Sequence, residues 1–288
     1  MQLNSMRFQK VAIALAFSPR LEANLSEGIR AASYLNSELV LIHIGQRTNE
    51  KERVLSSLLE QHPYPKSKVS IIWKEGEPVS VINKVCVDEQ VDLLIAGAAQ
   101  NEGLLTYYTG SVARKLCRTA PCSLLLLLQP AVDSVKFNKV IVDAAPHQHC
   151  KDVVNSALFF ANSIGASMVS LVEELDPKQI KYHSADDDTV SELAAKREKL
   201  VEEEKGRLES LLAECSYKDN LEINKQPIFG QSGYTIAHFA QSQRADLLVL
   251  HAPNRKTRFY HRLFIKGIEY ILSDMPTNLL LIRPKKSA

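Results

Sequence analysis

The sequence predicts an α/β fold that consists of two tandem, doubly wound parallel-sheet domains. The first observation is length, because 288 residues are about twice the usual size of one domain. The second is an internal repeat. The third is that short apolar segments alternate with helical segments of ordinary length, as is typical of βαβ units.

Four pairs of segments carry the internal repeat. The first two pairs are 129 residues apart and the third is 154 apart, so the second repeat has 25 additional residues between its second and third strands, within 173–222. We expect domains at 1–130 and 138–288, joined by a linker at 131–138. The pairs are Lys10–Ala16 with Lys139–Ala145, Ala32–Leu41 with Ala161–Ser170, Asp92–Ala98 with Asp246–Ala252, and Pro121–Leu126 with Pro276–Leu281.

Strands and helices alternate in the first repeat. The strand segments are short and rich in Val, Ile and Leu, as expected for strands buried on both faces. Asn36 and Gly165 stand where a residue that ends a helix is expected. The predicted strands are Val11–Ala16, Leu39–Ile44, Val69–Lys74, Asp92–Ala96 and Ser123–Leu128, and the predicted helices are Leu21–Leu35, Lys51–Gln61, Pro78–Glu89 and Ser111–Arg118.

The additional segment of the second repeat predicts a long helix. Thr189-x-x-Glu192 has the form of a capping box, and apolar residues after it fall on one helical stripe. Charged residues fill the other positions, which indicates a surface helix packed on its own domain. A helix that binds a partner or a second copy is the alternative. The stripe consists of Leu193, Leu200, Val201, Leu208, Leu211 and Leu212.

Composition excludes several classes of protein. With 45% apolar and 24% charged residues, the chain is neither disordered nor fibrous. A net charge of +2 gives no electrostatic reason to expect nucleic acid or an anionic membrane as partner. No apolar run approaches the roughly 18 residues that span a bilayer, and the first residues do not resemble a signal peptide. Five cysteines at unrelated spacings indicate a reduced, cytoplasmic protein.

The most informative motif follows the fourth strand, where Gly97-Ala-Ala-Gln100 is followed after nine residues by Gly110-Ser111. Glycine lets a loop backbone approach a ligand closely, and the free N–H groups at the start of a helix favour phosphate. Uncovered main chain around Gly97 and Gly110 would then form a cradle for an anion. The same spacing also fits an ordinary helix that Ser111 caps.

These residues resemble the universal stress protein family, whose nucleotide-binding members carry Gly-x2-Gly-x9-Gly-Ser/Thr at this place. Three of the four positions match, and the resemblance extends over nearly all of both repeats. It implies a Rossmann-like fold of the adenine-nucleotide-binding type, dimer-like packing of domains and a cytoplasmic stress-response role. It also implies an ATP or AMP site in the first repeat at Gly97, Gln100, Gly110 and Ser111. Further matches are Gly76-x-Pro78, Asp92-Leu-Leu-Ile, Ser111-Val-Ala-Arg and Ala120-Pro121-Cys122-Ser.

Departures from the family pattern predict weakened binding in the first repeat. Nucleotide-binding members have an Asp at the end of the first strand, where this chain has Ala16 and, in the second repeat, Ala145. Asp143 lies two residues earlier and substitutes only if the register shifts. Loss of a charged hydrogen bond costs roughly 1.5–3 kcal/mol, and Gln100 adds a side chain where glycine is expected.

The second repeat departs further, and we expect no nucleotide there. His251-Ala-Pro253-Asn254 replaces the glycine region, and Pro253 removes an N–H donor. Ile265 and Lys266 stand in place of Gly110 and Ser111, while Gly267 lies outside the spacing. The loop between is strongly basic, which indicates a solvated loop or, alternatively, a site for an anion or an acidic partner. Its basic residues are Arg255, Lys256, Arg258, His261, Arg262 and Lys266.

Metal and thiol chemistry are weakly indicated. His147-x-His149-Cys150 has residue types that suit zinc, but three ligands so close in sequence need a fourth from elsewhere, and we expect no metal. Cys117 and Cys122 flank one turn. They are interpreted as structural thiols, with oxidation as a pair as the alternative.

The chain is not expected to be an enzyme, because it carries no G-x-S-x-G, P-loop or H-E-x-x-H motif; slow ATP hydrolysis is retained as an alternative. The leading hypothesis is a non-catalytic stress-response regulator that acts on a client protein which the sequence does not identify. The rival is an interaction scaffold in which both nucleotide sites are vestigial. We expect Ser123–Leu128 and Asn278–Ile282 to pair as edge strands in an intramolecular pseudo-dimer, with a homodimer as a further assembly.

Overall fold

The computed structural model describes residues 8–98, 111–133, 137–181, 190–217, 220–231, 233–252 and 267–284. Their strands form one ten-stranded sheet with helices on both faces. The strands are β1 Lys10–Leu15, β2 Glu38–Ile44, β3 Val69–Lys74, β4 Leu93–Gly97, β5 Ser123–Leu127, β6 Lys139–Asp143, β7 Met168–Leu175, β8 Glu222–Phe229, β9 Leu247–His251 and β10 Asn278–Ile282. The helices are α1 Leu21–Leu35, α2 Asn49–Glu60, α3 Pro78–Asp88, α4 Ser111–Thr119, α5 Cys150–Ile164, α6 Lys178–Lys181, α7 Val190–Ala213, α8 Tyr234–Ser242 and α9 at 267–273.

The strand order is β3-β2-β1-β4-β5-β10-β9-β6-β7-β8. All neighbours within each repeat are parallel, and the two repeats meet where β5 and β10 pair antiparallel. Leu124 lies opposite Leu281 and Leu126 opposite Leu279. The predicted α/β fold and the predicted pairing of the two last strands are therefore both present.

Two equivalent aspartates hold the two halves of the sheet in the same way. The Asp92 carboxylate accepts hydrogen bonds from the backbone N–H groups of Gln9 and Lys10, at 2.8 and 3.0 Å. Asp246 does the same for Asn138 and Lys139, at 2.9 and 2.8 Å. Each carboxylate fixes the start of the first strand of its repeat beside the fourth, so the repeat read from the sequence is also a repeat of contacts.

The predicted elements of the first repeat are confirmed to within two residues at each end. Asn36 ends α1 with φ 52°, and Gly165 ends α5 with φ 74°, both in the left-handed region. The prediction of burial on both faces is wrong for β3, where Ile71 is 39% exposed. β3 lies at the edge of the sheet, so it has a neighbouring strand on one side only.

Two apolar cores cover the two faces of the sheet. On one face α1, α2, α5 and α7 pack, and on the other α3, α4, α8 and α9 pack. Each buried Val, Leu or Ile stabilises the fold by about 1.5–3 kcal/mol. No helix within the described ranges has the length and apolar character needed to cross a membrane.

The predicted helix of the insertion is α7. Leu208 and Leu212 are buried in the core, so its second half packs on its own repeat as expected. Thr189, the predicted cap, lies outside the described residues.

One detail of the insertion is corrected by the strand register. Leu39 pairs with Val11, and its counterpart Val169 pairs with Val140, which places one of the 25 additional residues before β7 and not within 173–222. The N–H groups of Ser167 and Met168 both donate to the Asn138 carbonyl, at 3.1 and 3.0 Å, so the strand takes up one residue there.

Candidate functional site

The candidate site of the first repeat lies at the carboxyl ends of β1 and β4. These strands are neighbours in the sheet, and the chain leaves them in opposite directions, to α1 and α4 on different faces. Such a change of strand order leaves a crevice in which α/β proteins bind ligands. The equivalent place in the second repeat is at the ends of β6 and β9.

An apolar surface lies at this end of the first-repeat sheet, on the face of α3 and α4. It consists of Ala14, Ile44, Ile72 and Val81, which are all partly exposed and all pack on the core of that face. We call these four residues the apolar floor. Gly76 forms the turn beside it with φ +134°, a conformation that favours glycine, and a Cβ there would also lie only 3.0 Å from Val81 Cγ2.

The predicted phosphate-binding residues are placed in part. Ser111 is exposed and is the first residue of α4, where the backbone N–H groups have no partner within the helix and favour an anion. Gly97 is the last residue of β4. Gln100 and Gly110 lie outside the described residues.

Gly97 is covered on one side, contrary to the expectation of bare main chain there. A Cβ at Gly97 would lie 2.8 Å from Asn24 Oδ1, so the side chain of Asn24 on α1 fills the space that glycine leaves. The Asn24 amide nitrogen donates to the Arg20 carbonyl at 2.9 Å, while its oxygen is buried without a hydrogen-bond partner. Close packing of α1 is therefore a sufficient reason for glycine at this position.

Aromatic side chains close the opposite face of the sheet. Buried His43 hydrogen-bonds the Leu15 carbonyl through Nδ1 at 3.0 Å. Its ring contacts Phe17 and Trp73 edge-on, with centroids 4.8 and 5.1 Å apart, and Lys51 Nζ lies 5.4 Å from the Phe17 centroid. A ligand at the ends of β1 and β2 therefore has its open approach on the face of α3 and α4. Sequence reasoning missed this cluster, because its members come from three strand ends.

The second repeat has polar residues at every position of the apolar floor. Strand register and the equivalent glycine contacts match Ala14, Ile44, Ile72 and Val81 with Asp143, Glu174, Gln226 and Thr235. Glu174 accepts hydrogen bonds from the N–H groups of Gly233 and Ile236, both at 2.7 Å, and so caps α8. Asp143 accepts from the Ala145 N–H at 3.1 Å, and burial raises its pKa. The Asp143 carboxylate thus stabilises the loop that directly follows β6.

A partly buried ion cluster lies on the other face of the second repeat. Arg207 Nη2 on α7 lies 2.6 Å from Glu173 Oε2 and donates to the Ala144 carbonyl at 2.7 Å, and its Nε donates to Glu204. Burial and a hydrogen bond with the neighbouring carboxyl of Glu204 raise the pKa of Glu173 to about 8, against the opposing effect of the Arg207 guanidinium. The Ala144 carbonyl that Arg207 binds corresponds to the Leu15 carbonyl of the first repeat, which His43 binds. In both repeats a side chain therefore hydrogen-bonds this carbonyl.

Three histidines meet beside this cluster. The rings of His147 and His251 stack with centroids 4.1 Å apart, and His149 lies 5.9 Å from His251. Burial lowers the pKa of His147 to about 4 and that of His251 to about 3. Nowhere in the described parts of the chain do three or more His, Cys, Asp or Glu side chains form a group that could hold a metal ion. Cys150 instead directs its thiol to the Ala144 carbonyl, at 3.5 Å.

The remaining predicted features of the second repeat are placed only in part. Gly267 is the first described residue of α9, and its Cα would lie 2.8 Å from a Cβ at Gly233. Pro253, Asn254, Ile265 and Lys266 lie outside the described residues, as does the whole basic loop.

The cysteines are all free thiols. Burial raises the pKa of Cys117 to about 12. The thiol partner of Cys122 is Cys86, and this contact and burial raise the pKa of Cys86. The alternative to structural thiols, oxidation of Cys117 with Cys122, therefore lacks the thiol contact that Cys86 makes with Cys122.

Comparison with known proteins gives three kinds of similarity. Residues 31–127 match the model of the universal stress protein family. A universal stress protein of Methanothermobacter thermautotrophicus is 29% identical over 90 residues, and the chain spans 61% of the length of this curated relative. Solved structures with the same fold include a protein of unknown function from Pseudomonas aeruginosa, with TM-score 0.70, 16% identity and coverage of 98% of this chain and 95% of that one. A universal stress protein from Archaeoglobus fulgidus gives TM-score 0.63, 14% identity and coverage of 98% and 99%.

Proposed function

Through residues 31–127 the chain belongs to the universal stress protein family, and from this premise we propose that it is a non-catalytic stress-response regulator that binds ATP or AMP in its first repeat. We place the first domain at 1–130 and the second at 138–288. The protein would act in the cytoplasm on a client protein.

The apolar floor is the observation that carries this proposal. A nucleotide base is flat and largely apolar on its faces, and pockets for such ligands have apolar walls with a few polar groups that fix orientation. Ala14 and Ile44 offer such a wall at the carboxyl end of the sheet. The start of α4 at Ser111 then offers N–H groups to the phosphates, together with Gln100 and Gly110.

Weakened affinity follows from two features. Ala16 supplies no carboxylate where family members hydrogen-bond the ligand, which costs roughly 1.5–3 kcal/mol, or about one to two decades in Kd. Asn24 also occupies the space beside Gly97, so a ligand cannot approach the Gly97 backbone from that side.

The second repeat would act as a structural partner without a nucleotide. The carboxyl groups of Asp143 and Glu174 stand where the first repeat has Ala14 and Ile44, and ionised carboxylates repel an anionic ligand. The pairing of β5 with β10 supports an intramolecular pseudo-dimer, in which each repeat takes the place of a second subunit.

Titration calorimetry with ATP and AMP tests the proposal. The wild type should release heat with at least one nucleotide. Ile44→Glu, which installs the type of residue found in the second repeat, should abolish the signal because it places a charge on the apolar floor. Ile71→Glu is the matched control, since Ile71 is exposed on the neighbouring strand but lies outside the floor. Binding that survives Ile44→Glu would show that the base lies elsewhere.

An interaction scaffold with vestigial sites is the second candidate, and the Asn24 contact at Gly97 favours it. Absence of heat with both nucleotides in the wild type would support the scaffold. Release of product from ATP by pure protein, abolished by Ser111→Ala, would instead show hydrolysis.

A further inference from the structure

We infer that Glu269 of the second repeat is a positioning residue for the nucleotide site of the first repeat, and that it acts through α4. This inference rests on the proposed function. In this proposal the second repeat holds α4, the helix whose start would bind the phosphates.

Glu269 receives two arginines of α4. Arg114 Nη1 lies 3.2 Å from Glu269 Oε2, and Arg118 Nε donates to Glu269 Oε1 at 3.0 Å, with a second contact from Arg118 Nη2. Arg114 also donates to the Leu272 carbonyl on α9, at 3.2 Å. Both carboxylate oxygens are thus used, and two consecutive turns of α4 are tied to one side chain.

We call Glu269 with Arg114 and Arg118 the clamp, and its contact between Arg114 and Glu269 is better protected from solvent than an ordinary surface pair. Arg114 is 27% exposed and Glu269 is 30% exposed, so water screens their attraction less than at a fully exposed site, while Arg118 is more exposed, at 42%. The acceptor is also rigidly held, because Ile268, Ile271 and Leu272 of α9 are buried in the core. Glu269 therefore presents a fixed charge to α4.

Arg114 lies in the first turn of α4, three residues after Ser111. A helix of nine residues moves nearly as one body, so a contact that holds Arg114 and Arg118 also sets where the first backbone N–H groups of α4, at Ser111, point. Buried Ala113 and Leu116 fix the inner face of α4, and the clamp fixes its orientation toward α9.

Equivalent positions of the two repeats carry opposite charges in this clamp. The register of β5 and β10 places Ser123 and Asn278 at equivalent positions, and the same relation matches Arg114 with Glu269. Two copies of the first repeat would bring arginine against arginine, and two copies of the second would bring glutamate against glutamate. The attraction exists only between the two different repeats, which indicates that the second repeat is specialised to hold the first.

The test compares wild type with Glu269→Gln, and with Glu214→Gln as control. Glu214 forms an exposed ion pair with Lys151 of α5 at 2.7 Å, on the face of the sheet opposite α4, so its loss removes a pair without touching the clamp. Hydrogen–deuterium exchange reports on the amides of α4 without ligand, and calorimetry gives the Kd for ATP and AMP. We expect Glu269→Gln to speed exchange at 111–119 and to weaken binding about fivefold or more, with both parameters unchanged in Glu214→Gln.

A charge swap separates positioning from general damage. Arg114→Glu combined with Glu269→Arg should recover part of the affinity that Glu269→Arg loses alone. Wild-type binding with an unchanged Kd in Glu269→Gln would overturn this inference and leave the proposed function intact. No binding of ATP or AMP by the wild type would overturn the proposed function and, with it, the predicted effect of Glu269 on affinity. Whether or not the wild type binds, unchanged exchange at 111–119 in Glu269→Gln would refute the role of Glu269 in holding α4.

Discussion

Ser123 and Asn278 occupy equivalent positions at the starts of β5 and β10, and each accepts a hydrogen bond from the backbone at the end of the other strand. Ser123 Oγ accepts from the Arg283 N–H at 3.1 Å, and Asn278 Oδ1 accepts from the Leu128 N–H at 2.9 Å. The two side chains therefore fasten both ends of the junction between the repeats. Asn278 does more, because its amide nitrogen also donates to the Asp246 carbonyl at 2.9 Å.

Removal of these side chains should weaken the junction to different extents. Asn278→Ala loses two hydrogen bonds and should lower the free energy of unfolding by about 1–3 kcal/mol, whereas Ser123→Ala loses one and should cost about 1 kcal/mol. Urea denaturation monitored by circular dichroism measures both. A larger loss in Ser123→Ala than in Asn278→Ala would contradict this assignment of contacts.

Gly97→Ala should destabilise the protein by about 1–3 kcal/mol, because the new Cβ would overlap Asn24 Oδ1. The double variant Gly97→Ala with Asn24→Ala should be more stable than Gly97→Ala alone, since shortening Asn24 removes the overlap. Thermal unfolding of the two single variants and the double variant gives the coupling. Strict additivity would refute the contact as the reason for glycine.

The histidine stack should make the free energy of unfolding decrease as the pH is lowered below about 6.5. Burial holds the pKa of His147 near 4 and that of His251 near 3, below the ordinary value of 6.5, so the fold favours the neutral rings. This contribution is present above about pH 6.5 and is lost as pH falls toward 4 and 3. The double variant His147→Ser with His251→Gly, which installs the residues of the first repeat, should flatten the profile, and His238→Gln at an exposed histidine is the control variant. Chemical denaturation at several pH values between 7 and 4 is the measurement.

Glu173 should have the opposite effect, because its contribution to the free energy of unfolding decreases as the pH rises. Its pKa is raised to about 8 in the folded protein, from 4.5, by burial and by Glu204. The fold favours the protonated carboxyl, so this contribution is present below about pH 4.5 and is lost as pH rises toward 8. Glu173→Gln, which keeps a neutral side chain, should remove the loss between pH 5 and 8. An unchanged slope in that variant would mean that Arg207 keeps Glu173 ionised throughout.

Much of the fold could be predicted from the sequence because the spacing of apolar residues and the residues that end helices indicate the same elements. Apolar strands alternate with helices, and Asn36 and Gly165 end α1 and α5 as their residue types suggest. The one-residue shift before β7 could not be predicted, because the sequence match runs without a gap through Gly165 to Ser170.

The site was less accessible to sequence reasoning, because it depends on contacts between distant segments. Asn24 meets Gly97 only when α1 packs on β4, and Arg114 meets Glu269 only when β5 and β10 join. Comparing strand ends between the repeats finds the contrast at the apolar floor only when the one-residue shift before β7 is known. The uncorrected alignment matches Ile44 with Glu173, which lies on the opposite face, and so hides the true counterpart, Glu174.

A crystal structure of the protein grown with ATP tests the central claim most directly. The account predicts density for the base against Ala14 and Ile44 and density for the phosphates at the start of α4, near Ser111, in the first repeat only. Nucleotide bound between Asp143 and Glu174 in the second repeat, or an apolar floor left empty at saturating ATP, would contradict it.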